Sequence, residues 1–356
     1  MNGFPDEAQA DKPEEAFEVV HASILRFFPD LVEELGGQPV SLLHQAGLSP
    51  EDVADNAPEQ NYRQAIQLLE RAASELKCPD FGMRLAKRQG GCDIFGPLGP
   101  VMKNARTFGE ALVYVATHNF AHSLAARIWL RSCRPERSVF AGHDILLDRI
   151  PNKSQAIEQV LLLGSLGAME MTSGHVHARK VHFRHQPVSS PAVYRRYFGC
   201  EVLFGQSEDG VVYSERDMTC PITDPDPTTY LAATSFIETE FTQHSSKLTV
   251  QVRGLVIQFL GNGHCTNDEV AAKLNLHPRT LHRRLTAEGT SFQLIKDEVR
   301  RDAVLYYIQH TNLEFSWISE KLGFAEPSVL TRRCNLWFSA SPTKLRQQAR
   351  AFAVTC

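Results

Sequence analysis

Apolar side chains recur at three- and four-residue spacing in FEVVHASILRFFPDLVEEL (residues 17–35), YRQAIQLLERAASEL (62–76) and FGEALVYVATHNFAHSL (108–124). That is the period of a helix with one buried face, so at least three helices are predicted between Ala16 and Leu130. A further helix, Ser154 to Met171, is apolar around most of its circumference and reads as buried. The period changes to alternation from Ala125 to Phe140, in KVHFRHQPV (180–188) and in VVYS (211–214), and these runs predict short strands. DIFGPLGP (93–100) packs two glycines and two prolines into eight residues and predicts a turn-rich connection rather than helix interior, serving as a hinge or pocket rim. PITDPDP (221–227) is a second breaker cluster, ahead of a helical stretch, TYLAATSFIETEF, suited to a linker or a dimerisation element. The expected organisation is a disordered tail over 1–15, an α+β domain over 16–242, a linker over 243–248 and an all-α domain over 249–356.

The last hundred residues carry the most specific pattern. LTVQVRGLVIQFL is an apolar helix ended by Gly261 and Gly263, and Thr266 with Glu269 has the spacing of a capping box that opens the next helix. His277-Pro278 opens another after a short turn, with proline at the first helical position, where its missing N–H costs nothing. In PRTLHRRLTAEG, Leu281 and Leu285 share the core face while Arg279, His282 and Arg283 share the outer one. A solvated basic face has the same composition. Recurrence argues for more: FSWISEKLGFAEPSVLTRRCNLWF repeats the device, with Ser316 expected as cap, Ile318 and Leu322 buried, Gly323 at the turn and a second outer helix from Pro327. Between the two motifs, SFQLIKDEVRRDAVLYYIQH predicts an amphipathic helix of about seventeen residues, about 25 Å long. Such a spacer suits two reading helices placed about 34 Å apart, in successive major grooves on one side of DNA.

At EVAAKLNLHPRTLHRRL, ISEKLGFAEPSVLTRRC and SASPTKLR the chain resembles the DNA-binding domain of the AraC/XylS family. The resemblance implies a double helix-turn-helix whose DNA-facing residues are Arg279, Thr280, His282 and Arg283 in the first motif and Ser328, Thr331 and Arg332 in the second. The chain departs from the family pattern at His277, Leu330, Cys334 and Ala340. Because Pro327 and Val329 offer no side-chain hydrogen bonds, the second helix is expected to read fewer base edges and to act more as a phosphate anchor. Residues 20–225 are similar to the effector domain of ornithine-type and virulence-type members, which implies effector control but not the sugar-binding cupin of the arabinose regulator. The implied partners are a double-stranded DNA operator, RNA polymerase, a small-molecule effector and a second copy of the chain.

Charge sharpens this division. From Thr249 onward 14 Lys and Arg face 9 Asp and Glu, a net +5 that leaves −9 on the rest of a chain whose total is −4. A positive module on an acidic carrier suits phosphate attraction at one end only. The eight cysteines stand at no metal-knuckle or CxxC spacing, which fits reduced thiols in a cytoplasmic protein, and no apolar run is long enough to span a bilayer. No cofactor is expected. His175, His177, His182 and His185 crowd one region, and His118 with His122 is half a metal site, but neither has acidic or cysteine partners nearby, so no metal is expected. Ser165 lacks the GxSxG setting of a nucleophile, and no reactive-thiol motif is present, so an enzyme is not expected. Phe95, Tyr114, Phe120 and Trp129 are the candidate lining of an apolar effector pocket, although aromatic residues at this density more often form plain core. The competing reading is a constitutive or architectural DNA-binding protein with no small-molecule ligand.

Overall fold

The computed structural model describes residues 18–54, 59–123, 125–133, 136–147, 149–237, 248–260, 265–288, 290–310 and 313–347. The chain opens differently from the helix predicted over 17–35. Strand β1 (Val19–His21) is followed by a 3-10 turn, and helix α1 (Phe28–Glu34) starts only after Phe27, whose φ of 63° breaks the helical path. After α2 (Pro39–Gln45), β2 (Glu59–Asn61) returns to pair antiparallel with β1. Backbone pairing with a distant segment thus overrode a local helical period.

Helices α3 (Tyr62–Glu75) and α4 (Phe81–Gln89) follow, α3 as its periodicity predicts. The glycine- and proline-rich segment behaves in two ways. Cys92–Phe95 forms a 3-10 turn ending at Gly96, whose φ is +57° and whose Cβ would fall 2.5 Å from the His21 ring. Leu98, Gly99 and Pro100, however, make the first turn of α5 (Leu98–Asn104), contrary to the turn-only expectation, because proline in a first turn gives up no hydrogen bond. Next come α6 (Phe108–His118), β3 (Ala126–Cys133), β4 (Ser138–Ile145) and α7 (Ser154–Met171), whose bounds match the predicted buried helix.

Strand β5 (Lys180–His182), α8 (Pro191–Phe198), β6 (Glu201–Leu203) and β7 (Gly210–Ser214) complete a five-stranded sheet of order β3-β4-β7-β5-β6, antiparallel except between β5 and β6. In the β3–β4 register Ile128 stands opposite His143, and Arg127, Trp129 and Arg131 stand opposite Asp144, Gly142 and Phe140. Alternation therefore puts Ile128, Ala141 and His143 on one face and Arg127, Trp129, Asp144 and Phe140 on the other. The first face packs on α5, α6 and α7 in a continuous apolar core. α9 (Pro227–Ser235) closes this domain, and its N-terminus is capped by Asp226.

The predicted tail over 1–15 and residues 243–247 of the predicted linker lie outside the described residues; Leu248 already opens α10 (Leu248–Phe259). The rest is helical: α11 (Asn267–Lys273), α12 (Pro278–Ala287), α13 (Phe292–His310), α14 (Phe315–Lys321) and α15 (Pro327–Phe338). Two separate small cores are strung on α13. Ile295 and Val299 belong to the first and Val304, Tyr307 and Ile308 to the second. At 19 residues α13 is about 28 Å long, slightly more than the sequence suggested. No helix among the described residues is long and apolar enough to cross a membrane.

Candidate DNA interface, effector cavity and the seam between them

The first helix-turn-helix is α11 and α12. Thr266 and Glu269 form the predicted capping box, with Glu269 N–H donating to Thr266 Oγ1 at 3.2 Å and Thr266 N–H to Glu269 Oε2 at 3.1 Å. The turn passes through Asn275 at φ 53°, and His277 caps α12 through its ring nitrogen, 3.3 Å from Arg279 N. With Leu281 and Leu285 buried, Arg279, His282 and Arg283 stand exposed on the opposite face and Thr280 is half-buried beside them. Gly261 and Gly263 lie outside the described residues. Glu288, just past α12, accepts hydrogen bonds from Leu248 N and Thr249 N at 3.0 and 2.8 Å, which ties α12 to the start of α10.

The second motif repeats the geometry with one correction. Ser316 is not the cap of α14: Glu314 holds the extended N-cap conformation, and Ser316, already in the first turn, turns its hydroxyl back to Glu314 at 3.3 Å. Gly323 occupies the left-handed turn at φ +63°, and Arg300 of α13 spans it, donating to the Leu322 and Gly323 carbonyls at 3.0 and 2.5 Å. Ser328, Thr331 and Arg332 are all exposed on α15. Two of their hydroxyls are engaged locally, Ser328 with Glu326 at 3.0 Å and Thr331 with the Pro327 carbonyl at 3.1 Å. Arg333, the neighbouring cation, is held by Asp297 at 3.3 Å. Arg332 is thus the exposed cation among these three side chains of α15.

Between the sheet and α5, α6 and α7 lies a partly open cavity of about 80 Å3. Among the described residues that line it, only His143 and Tyr213 carry a side-chain nitrogen or oxygen. Of the four predicted effector residues, Phe95 lines it. Tyr114, elsewhere on α6, stacks on His118 at 3.9 Å and is not in the lining, and the side chain of Phe120 lies outside the described residues. Trp129 is on the other face of the sheet, because β3 alternates and Ile128 takes the cavity side.

That other face meets the C-terminal helical half. Trp129 lies across Gly142, where a Cβ would come within 2.2 Å of its ring. Trp129 Nε1 donates to Asp144 at 2.9 Å, and Tyr307 of α13 donates its hydroxyl to the same carboxylate oxygen at 2.5 Å. Lys321 of α14 completes the group, its ammonium 3.6 Å from Asp144 and 3.4, 4.3 and 4.6 Å from the ring centres of Trp129, Trp317 and Tyr307. An ammonium facing three aromatic rings and a carboxylate is a strongly attractive arrangement once water is excluded. On the first motif's side, Arg127 donates to the Leu260 carbonyl at the end of α10 at 2.6 Å, and Leu146 packs on that motif's core. The β3–β4 hairpin thus touches both helix-turn-helix units. Sequence reasoning missed Asp144 and Lys321 as functional residues, because each reads locally as an ordinary strand or helix charge.

Burial pulls the Lys321 ammonium down to about 7 against the pull of Asp144, with Arg127, Glu208 and Arg131 the other charges facing it. Burial opposes ionisation of Asp144 too, but Lys321, Arg184 and the Tyr307 hydroxyl outweigh it and hold the carboxyl below its usual value. Undocked, the lysine would return toward 10.5, so seating it in the cage releases a proton between those values. Docking is accordingly expected to strengthen as pH rises above about 7, and to be weakest below it. Tryptophan emission between about pH 7 and about pH 9 should show this trend in the parent and lose it in Lys321→Met; an equal slope in both would refute it.

The histidine cluster does not converge. His175 and His177 are exposed, His182 packs on Phe140 and His185 on Phe183, and among the described residues no group of three His, Cys, Asp or Glu side chains is placed to hold a metal.

A family model described as the arabinose-binding N-terminal domain of AraC transcription regulators matches residues 36–222, just over half of the chain. A second, described as a helix-turn-helix domain, matches residues 270–348. The chain is 31% identical over 328 residues to the HTH-type transcriptional regulator VirS of Mycobacterium tuberculosis, spanning 92% of this chain and 96% of that one. It is 22% identical over 345 residues to the ornithine utilization regulator of Pseudomonas aeruginosa, spanning 93% and 97%. The crystal structure of the transcriptional regulator CdpR from Pseudomonas aeruginosa overlays with a TM-score of 0.42 at 19% identity, over 88% of this chain and 97% of that one, too loosely to carry an argument.

Proposed function

From the premise that the chain belongs to the AraC family, DNA-binding transcription regulators rather than enzymes, we propose that it is an effector-responsive cytoplasmic activator that reads a double-stranded operator through α12 and α15. The carrying observation is the paired motif: two helices, each with its apolar face buried in its own small core and its polar face exposed, strung on one 19-residue helix. Arg279, His282 and Arg283 supply base-edge and phosphate contacts in the first groove, with Thr280 at their margin. In the second, Ser328 and Thr331 lie beside Arg332, which positions the protein on phosphate.

The apolar cavity supports an effector reading over a constitutive architectural role, and the seam gives the effector domain a handle on both reading units. RNA polymerase is the expected protein partner of an activator. A homodimer would double the DNA contacts at a paired site. The reading is tested by selecting the full chain's binding sites from random duplex DNA. Enrichment of a motif with two half-sites about one helical turn apart is expected; recovery of sequences no tighter than random duplex would defeat it.

A further inference from the structure

The matched effector-domain model is described as arabinose-binding, yet the cavity found here is chemically unlike a sugar site. A pentose carries several hydroxyl groups, and each one buried without a partner is costly. Among the described residues the lining offers two side chains with a nitrogen or oxygen, His143 and Tyr213. The Tyr213 hydroxyl is already engaged by Ser165. That leaves His143, 5% exposed, on the same strand face as Ala141, with Nε2 lacking a hydrogen-bond partner among the described residues. A buried, unpartnered ring nitrogen in an otherwise apolar wall is a polar anchor awaiting a ligand atom.

The charge of that ligand group is constrained as well. Burial pushes the His143 imidazole down to about 4, so the ring is neutral near pH 7, and the charges around it are Asp144, Asp209, Lys153 and Arg184. The two cations are committed elsewhere: Arg184 pairs with Asp209 at 2.7 Å, and Lys153 donates to the Ile145 carbonyl at 3.2 Å. A carboxylate buried beside His143 would have no dedicated counter-charge.

We infer that the cavity takes a compact, uncharged, apolar molecule bearing a single hydrogen-bonding group, which it presents to His143, and that it rejects sugars and carboxylates. This deepens the effector reading and rests on it. Gly164 of α7 provides the means of blocking the site, since it lines the cavity and a Cβ there would meet nothing within 4 Å.

The test is thermal unfolding and calorimetry of the full chain with para-propylphenol, para-propylbenzoate, L-arabinose and propylbenzene. Only propylphenol and, more weakly, propylbenzene should raise the Tm. Gly164→Leu should abolish both responses, with Ala111→Leu as the second blocking variant should the first fail to fold. His143→Leu should weaken propylphenol about tenfold, the worth of one hydrogen bond, and leave propylbenzene unchanged. Stabilisation by arabinose or propylbenzoate that Gly164→Leu removes would overturn the ligand class and leave the effector reading standing. No response to any probe, or a propylphenol response that survives both blocking variants, would overturn the assignment of the site. If Gly164→Leu also leaves operator affinity and tryptophan emission unchanged, the effector reading falls with it.

Discussion

Asp144→Ala is expected to detach the DNA-binding half of the molecule from the sheet. The substitution removes a buried carboxylate, 2% exposed, that accepts from Trp129 and Tyr307 and neutralises Lys321. It leaves an indole N–H and a phenol buried without their shared acceptor, and a buried Lys321 with no carboxylate to favour its charged form. Deleting one member of a buried pair costs up to about 3 to 5 kcal/mol when the other stays charged; Lys321 can shed its proton, so the loss expected here is the smaller cost of orphaned buried donors, about 1 to 3 kcal/mol each. Full unfolding is not the expected route of relief. The effector-domain core is built apart from the seam, and each core on α13 shares only edge contacts with it, Tyr307 and Trp317 in the second and Leu146 beside the first, so the seam itself should open before those cores do.

Three consequences are measurable. Tryptophan emission should move to the red, since two of the three tryptophans, Trp129 and Trp317, pack there at 5.8 Å. A single calorimetric transition should divide in two. Operator affinity should stop responding to Gly164→Leu, which mimics an occupied cavity on the opposite face of the same hairpin. Asp144→Asn, which keeps an acceptor without the charge, should fall between. Unchanged emission together with one transition in Asp144→Ala would show that the seam does not hold the halves together.

The second large effect is expected at Arg283→Ala. Arg283 is exposed on the same face of α12 as Arg279 and His282, and a bidentate guanidinium contact to a guanine is worth about 1 to 3 kcal/mol of discrimination. Affinity for the selected operator relative to scrambled duplex should therefore drop about tenfold to a hundredfold at fixed salt. Arg332→Ala should behave differently. Its neighbours on α15 spend their hydroxyls on Glu326 and Pro327, so it is expected to weaken operator and scrambled DNA alike and to lower the salt slope by about one. A specificity ratio that survives Arg283→Ala, or collapses in Arg332→Ala, would reverse the unequal roles assigned to the two motifs.

The features legible in the sequence share one property: neighbouring residues decide them. The capping box at Thr266 and Glu269, the proline openings at Pro278 and Pro327, the buried leucines of α12 and the bounds of α7 each follow from spacing within a few turns of one helix, and all appear where expected. The double helix-turn-helix and the α+β class of the first domain were readable for that reason. The failures are equally physical. A helical period over 17–35 yielded to pairing with a strand forty residues away, and Ser316 lost the cap to Glu314 by a difference of backbone conformation that composition does not encode.

What only the tertiary structure decided is which residues of different segments meet. Trp129, expected in the effector pocket, faces the other way because one step along a strand reverses the side a residue occupies. His143 becomes a polar anchor, and Asp144, its neighbour, becomes the hub of a seam reaching Lys321 some 180 residues on, through a register no local pattern announces. Helical faces and caps are set by short-range sterics and hydrogen bonds; a cavity and a domain seam exist only once the sheet has closed and given its two faces different neighbours.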